Sequence, residues 1–270
     1  MVHFKDDPIL PNIIELRDVN QSYDDGKTQI IQNFDLLIED KPFQGQFVAL
    51  LGMSGCGKST ILRYIAGLQK PTSGTVLIKD KAVGDDLRVN MVFQQYSSLP
   101  WMSVLDNVAL GLTFKGVSKQ EKEAKAMEII EWVGLKGHEK KFAQYPLLSG
   151  GQLQRVAIAR SLVYNPEILL MDEPFGALDI ETRQSMQDLL INIWNKFHTT
   201  IVFVTHDINE AVYLADDIYI MKKAPSNIVE SLKVDLPTNR NIEMKKSIRF
   251  LELVREVEEK MLNTLKNNRY

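Results

Sequence analysis

One nine-residue stretch constrains this chain more than anything else in it. GMSGCGKST (52–60) lies between the apolar, β-branched run FVALL (47–51) and the helical pattern STILRYIAGL (59–68). A strand, a glycine-rich turn and a helix in that order form one supersecondary unit. Gly52, Gly55 and Gly57 let the backbone wrap tightly and turn N–H groups toward an anion. The N-terminus of the following helix adds its dipole. The spacing G-x-x-x-x-G-K-[ST] sets Lys58 against the outer phosphates of a nucleotide and lets the Ser59 hydroxyl ligate Mg²⁺. Cys56 sits inside the loop. Since the sequence fixes no base near it, Cys56 reads as a small residue contributing its backbone N–H, not as a nucleophile.

The rest of the chain supports an α/β fold. Apolar runs recur as TVLI (75–78), ILLM (168–171), TIVFV (200–204) and DIYIM (217–221), with helical patterns between several of them. Strands alternating with helices predict a mostly parallel sheet. NIIELRDVN (12–20) alternates as a strand does. Residues 95–165 differ, with helical and loop segments that include SVLDNVALGL and SKQEKEAKAMEIIEWVGL. They predict a helical insertion within the α/β core. A long helix begins near Ile180. In the tail, Ile248, Leu251, Val254, Val257, Met261 and Leu265 recur at spacings of three and four, which predicts one apolar helix face. From Lys222 onward 11 basic and 7 acidic residues give +4. That excess reads as a solvated helix face in preference to a lipid-binding surface.

The run ending at Met171 is followed at once by Asp172 and Glu173. Buried carboxylates without partners are costly. In a parallel sheet the C-terminal strand ends converge on the ligand. Asp172 can therefore reach the Mg²⁺ at Ser59, and Glu173 can polarise a water aimed at the γ-phosphate. A second anion site is written in LSGGQLQR (148–155), where a serine and two glycines open the helical run VAIARSLV. One nucleotide does not need two cradles in one chain. Two chains facing head-to-tail do, each closing the other's site.

Bulk properties exclude other classes. With 32 basic and 35 acidic residues the net charge is −3, so no bulk electrostatic pull toward nucleic acid is implied. A single cysteine excludes an internal disulfide and fits a reducing compartment. The N-terminal residues show no signal-peptide pattern. No apolar run approaches the ~18 residues that would span a bilayer. Any role at a membrane is expected to work through a partner.

Six motifs in order make the sequence resemble the ATP-binding subunits of ABC transporters over nearly its whole length. They are Walker A (52–60), the Q-loop VFQQ (92–95), the signature LSGGQ, Walker B ILLMDE, the D-loop GALD (176–179) and the switch VTHD (204–207). The resemblance implies a P-loop NTPase core in which antiparallel N-terminal strands accompany the mostly parallel sheet. It implies one ABC ATPase domain over 1–270, with the helical subdomain at 95–165 and a C-terminal extension at 222–270 ending in an amphipathic helix. ATP and Mg²⁺ would be held by Gly52, Ser54, Gly55, Cys56, Gly57, Lys58, Ser59 and Thr60, with Tyr23 stacked on adenine. Asp172 and Gln94 would join Ser59 at the metal. Ser149, Gly150, Gly151 and Gln152 would bind the γ-phosphate across a head-to-tail homodimer, and Asp179 would connect the two sites. Glu173, His206, Gln94 and Lys58 would carry the chemistry.

SSLPWMSVLDNVALGL (97–112), LDIETR (178–183) and PSNIVESLKVDLPTNR (225–240) further resemble importers of nitrate, sulfonates and taurine. This implies a peripheral subunit on the cytoplasmic face of the cell membrane. Its partners would be an integral permease and, indirectly, a periplasmic or extracellular solute-binding protein. Trp101 is either packed core or part of the surface that docks the permease. The chain departs from the pattern at three places. It reads LPTNR where LPRPR is usual, it has one residue fewer between Tyr145 and Ser149, and Gln46 stands where a glutamate is usual. A soluble cofactor-assembly ATPase is the alternative. With Lys58 and Ser149 only 91 residues apart, the repair ATPases with a long coiled coil are excluded.

Overall fold

A computed structural model describes residues 12–23, 26–41, 44–84, 89–95 and 97–267. Two sheets organise them. The larger has six strands in the order β10-β9-β3-β8-β7-β6. These are β3 (Phe47–Gly52), β6 (Asn90–Val92), β7 (Ile168–Asp172), β8 (Thr200–Thr205), β9 (Asp217–Met221) and β10 (Ile228–Lys233). All pair in parallel except β10, which runs antiparallel to β9. Strands β3, β7, β8 and β9 are buried along their whole length. That explains why they read as unbroken apolar runs, since a parallel sheet is covered on both faces. Along β3, Phe47, Ala49 and Leu51 enter one apolar cluster, while Val48 and Leu50 enter the other. Phe47 is met edge-on by Trp194 and Phe203.

The smaller sheet is antiparallel, in the order β2-β1-β4-β5, from β1 (Asn12–Tyr23), β2 (Thr28–Glu39), β4 (Ser73–Ile78) and β5 (Lys81–Ala82). TVLI therefore belongs to this sheet and not to the parallel one. Helix α1 (Lys58–Ile65) fills the space between the two sheets with Ile61, Leu62 and Ile65. Gln46 is buried and donates its amide to the Glu39 carbonyl, so the departure from glutamate costs no partner. Helices α2 (Val104–Phe114), α3 (Lys119–Trp132) and α4 (Gly150–Leu162) lie between β6 and β7 and form the helical insertion. Trp101, just before α2, is 70% exposed, so it is not packed core.

Helix α5 (Ile180–Phe197) and α6 (Ile208–Leu214) complete the core, and α7 (Ile248–Asn267) covers it. The buried stripe of α7 differs from the one the spacing predicts. Phe250, Leu253 and Val257 are buried, with Val254 and Met261 packed beside them, whereas Ile248 is 77% exposed and Leu251 is exposed. The aromatic bulk of Phe250 and the branched Leu253 turn the helix so that both face the core. The side chain of Leu265 lies outside the described residues.

Arg240, the last residue of LPTNR, pins the extension. Its buried guanidinium donates to the Tyr213 carbonyl (3.2 Å) and the Asp216 carboxylate (2.9 Å), and it lies 5.6 Å from the Trp194 ring. Truncating Arg240 empties a buried guanidinium site and removes its bond to the Tyr213 carbonyl, while the partly exposed Asp216 keeps the Phe47 N–H. Arg240→Ala is expected to cost about 1–3 kcal/mol, read as a lower urea midpoint with unchanged m.

Candidate nucleotide-hydrolysis site

Strand order lines up the functional loops. Parallel pairing sets Leu51 beside Thr205 and Val204 beside Asp172, so β8 ends between β3 and β7. Strand β6 lies on the far side of β7 and delivers Gln94 there. The loop after β3 wraps at positive φ, with Gly55 at +78° and Gly57 at +87°. Gly57 caps α1, and no side chain caps that helix. A Cβ at Gly52 would lie 2.7 Å from the Cys56 sulfur and 2.9 Å from the Met221 carbonyl. Cys56 is thus a filler behind the loop, and burial pushes its thiol pKa up. Lys58 is only 4% exposed, and its Nζ donates to the carbonyls of Gly52 (2.8 Å) and Met53 (3.1 Å).

The two carboxylates of β7 have separate surroundings. Asp172 accepts from the Ser59 hydroxyl at 2.7 Å. Burial pushes its pKa up, against the lowering effect of that bond. A hydroxyl and a carboxylate side by side are hard oxygen donors, the set that suits Mg²⁺, and a cation there would favour the charged carboxylate. Glu173 leaves the strand at φ +42°, a conformation unusual for a residue with a side chain. Its Oε2 lies 3.3 Å from Gln94 Nε2 and 3.4 Å from His206 Nδ1, and its Oε1 lies 4.0 Å from Lys58 Nζ. Four separate segments of chain therefore meet at one carboxylate.

The switch loop rests on two residues that the six motifs do not name, Glu210 and Arg183. The Glu210 carboxylate accepts from the Thr205 hydroxyl at 2.6 Å, and Thr205 Oγ1 accepts from the Asp207 N–H at 3.0 Å. Asp207 caps α6 by accepting from the N–H groups of Asn209 and Glu210. Arg183 of α5 reaches Asp207 (4.0 Å) and Glu210 (3.8 Å), and burial pushes the Glu210 pKa up. A cavity of about 60 Å³ lies among Glu173, Arg183, His206 and Glu210. An acid in the first turn of a helix ordinarily reads as dipole matching, so nothing in the sequence singled out Glu210.

The signature forms a second cluster apart from the first. Ser149 caps α4 in a reciprocal box. Its Oγ accepts from the Gln152 N–H (3.3 Å), and Gln152 Oε1 accepts from the Ser149 N–H (2.9 Å). The cap is formed despite the shortened segment before it. Asp179 caps α5, accepting from the Thr182 N–H (3.0 Å) and hydroxyl (2.7 Å), and these bonds hold its carboxyl below the usual range. A Cβ at Gly151 would stand 2.3 Å from Thr182 Cγ2, so the two caps touch. Tyr23 is 50% exposed at the end of β1, opposite Thr28. The same hairpin brings Ile31 within 3.4 Å of a Cβ at Gly57, next to the phosphate loop.

Residues 38–176 match the family model described as ABC transporter. The chain belongs to the ABC transporter family. It is 41% identical over 253 residues to the nitrate import ATP-binding protein of Synechocystis sp., covering 90% of this chain and 93% of that one. With the taurine import ATP-binding protein of Rhizobium johnstonii the identity is 44% over 235 residues, covering 84% and 88%. A solved dimeric bacterial ABC transporter cassette superposes with a TM-score of 0.71 at 35% identity, covering 83% of this chain and all of that one. The fold is thus that of a P-loop ATPase cassette, and this chain is an ATP-binding ATPase of the family. Among the described residues no helix is long and apolar enough to cross a membrane.

The contact of the two caps can be tested. Thr182 cannot rotate away from a new Cβ without losing its bond to Asp179. Gly151→Ala is therefore expected to destabilise the chain by about 1–3 kcal/mol. Thr182→Ser in the same chain removes the clashing methyl, keeps the hydroxyl and recovers most of that loss in thermal melts.

Proposed function

We propose that this chain is the ATP-hydrolysing subunit of an ABC importer, energising uptake of a small anionic solute of the nitrate, sulfonate or taurine kind. The observation that carries the hydrolytic reading is the convergence of Lys58, Gln94 and His206 on Glu173, beside the Ser59–Asp172 pair. The importer reading draws on the chain's similarity to nitrate and taurine import ATP-binding proteins and on the three matching segments noted above. The 270 residues would be one ATPase domain, with the insertion at 95–165 and an extension from 222.

In this reading Gly52, Ser54, Gly55 and Gly57 present backbone N–H groups to the phosphates and Lys58 supplies its ammonium, whereas the Cys56 N–H, expected from the sequence to join them, donates instead to the Met53 carbonyl at 3.2 Å and braces the loop. Thr60 extends the cradle into the first turn of α1, and Tyr23 stacks on the base. Ser59, Asp172 and Gln94 would hold Mg²⁺, which neutralises phosphate charge when bound. Glu173 accepts a proton from the attacking water and holds it in line. Gln94 and His206, each within hydrogen-bonding reach of that carboxylate, orient it and the γ-phosphate. Two chains close head-to-tail, so that Ser149, Gly150, Gly151 and Gln152 of one cover the γ-phosphate of the other, with Asp179 between the sites. Closure biased by the γ-phosphate is a two-state element. A permease docked near Gln94 and the exposed Trp101 would convert it into alternating access, with the solute delivered by an external binding protein. The chain would then sit on the cytoplasmic face of the membrane.

Glu173→Gln keeps the shape and removes the base. It is expected to lower kcat by about 10²–10⁴ and to trap an ATP-bound dimer visible by size-exclusion chromatography. Undiminished turnover would overturn the assignment. The importer reading is tested by a mild-detergent pull-down of the tagged chain from its native cells. A co-purifying multi-span permease supports it, whereas soluble partners alone after crosslinking would favour the cofactor-assembly alternative.

A further inference from the structure

The turn between β9 and β10 passes behind the phosphate loop, and none of the six nucleotide-site motifs includes it. Ser226 in that turn is fully buried. Its backbone is tied to β2 on both sides. Its N–H donates to the Ile30 carbonyl at 2.8 Å, and its carbonyl accepts from the Gln32 N–H at 3.1 Å. Its hydroxyl donates to the Cys56 carbonyl at 2.6 Å. The hydroxyl is thus held by the antiparallel sheet and not by the loop it touches.

The peptide between Cys56 and Gly57 is trans. In a trans peptide the C=O and the N–H point to opposite sides of the chain. Drawing the Cys56 carbonyl back onto Ser226 therefore turns the Gly57 N–H away from that buried wall. Gly57 is the cap of α1, at a φ that leaves no side chain to help orient it. Behind it, a Cβ would meet Ile31 at 3.4 Å and the Ser226 hydroxyl at 3.5 Å, so the peptide has a floor on one side.

We propose that Ser226 is a positioning residue for the phosphate cradle, aiming the Gly57 N–H at the nucleotide by anchoring the Cys56 carbonyl. The proposal rests on residues 52–60 being that cradle. Removing the hydroxyl leaves the carbonyl buried without a partner and frees the peptide to rotate. The loss then falls on binding of the phosphates and not on the step at Glu173, which Ser226 does not touch.

The test is calorimetric titration of Mg·ADP into the full chain and its variants, with melting temperatures and ATPase kinetics alongside. Ser226→Ala is expected to raise the Kd for Mg·ADP about tenfold and to raise KM for ATP in step, while kcat moves by less than about twofold. Ser226→Cys, nearly isosteric with a weak donor, is expected to lose about threefold. It is the variant to read if Ser226→Ala does not fold. An unchanged Kd in Ser226→Ala, whether or not the melting temperature falls, overturns the proposal. Lys58→Ala is the separate control. If it too leaves Mg·ADP binding unchanged, the cradle reading itself fails, whereas a loss in Lys58→Ala alone refutes only the role of Ser226.

Discussion

The parallel hydrogen-bond ladder joining β3, β8 and β7 is the constraint on which the site depends. Its register sets Leu51, Thr205, Val204 and Asp172 side by side, so three loops distant in sequence leave the sheet at the same C-terminal end of its strands. Sliding β8 by one residue would turn Val204 and Thr205 to opposite faces and carry His206 away from Glu173. The ladder is secured from both sides. Alternate side chains of β3 enter two different apolar clusters, so neither face can shift without opening the other. The position of one carboxylate is thus held by apolar burial spread on both faces of the sheet.

Much of this was legible in the sequence, because the signals are local. Glycine spacing before a lysine, apolar runs that end in acids and a serine-capped double glycine each report a backbone conformation within about ten residues. The parallel strands were legible for the same reason, since burial on both faces leaves no alternation to confuse. Walker B showed this most clearly, with both carboxylates placed by the end of a single strand.

What could not be read depends on partners far apart along the chain. Ser226 touches Cys56 across 170 residues, and nothing in PSNIV distinguishes it from a turn serine. Glu210 and Arg183 look like ordinary first-turn and helix-surface charges until α5 and α6 are brought together. TVLI has the composition of a core strand, and only its pairing with β1 assigns it to the other sheet. In α7, two apolar stripes separated by one residue compete, and the packing of Phe250 and Leu253 decides between them. Composition alone could not place Trp101, because apolar bulk serves a core and an interface equally well.

Lys58 donates to two carbonyls of its own loop, and this sets a threshold for whatever enters. Two of the three ammonium N–H groups are already engaged, so a phosphate bound in the proposed cradle would have to offer a better acceptor than a pair of peptide oxygens. A neutral molecule of the right shape fails on that count, because nothing in it compensates for breaking the two bonds. A dense cluster of negative oxygens, such as the proposed phosphates, would draw the lysine out. If residues 52–60 are the phosphate cradle, the loop would screen by charge before shape is consulted, its lysine held by the chain's own oxygens until denser negative charge arrives.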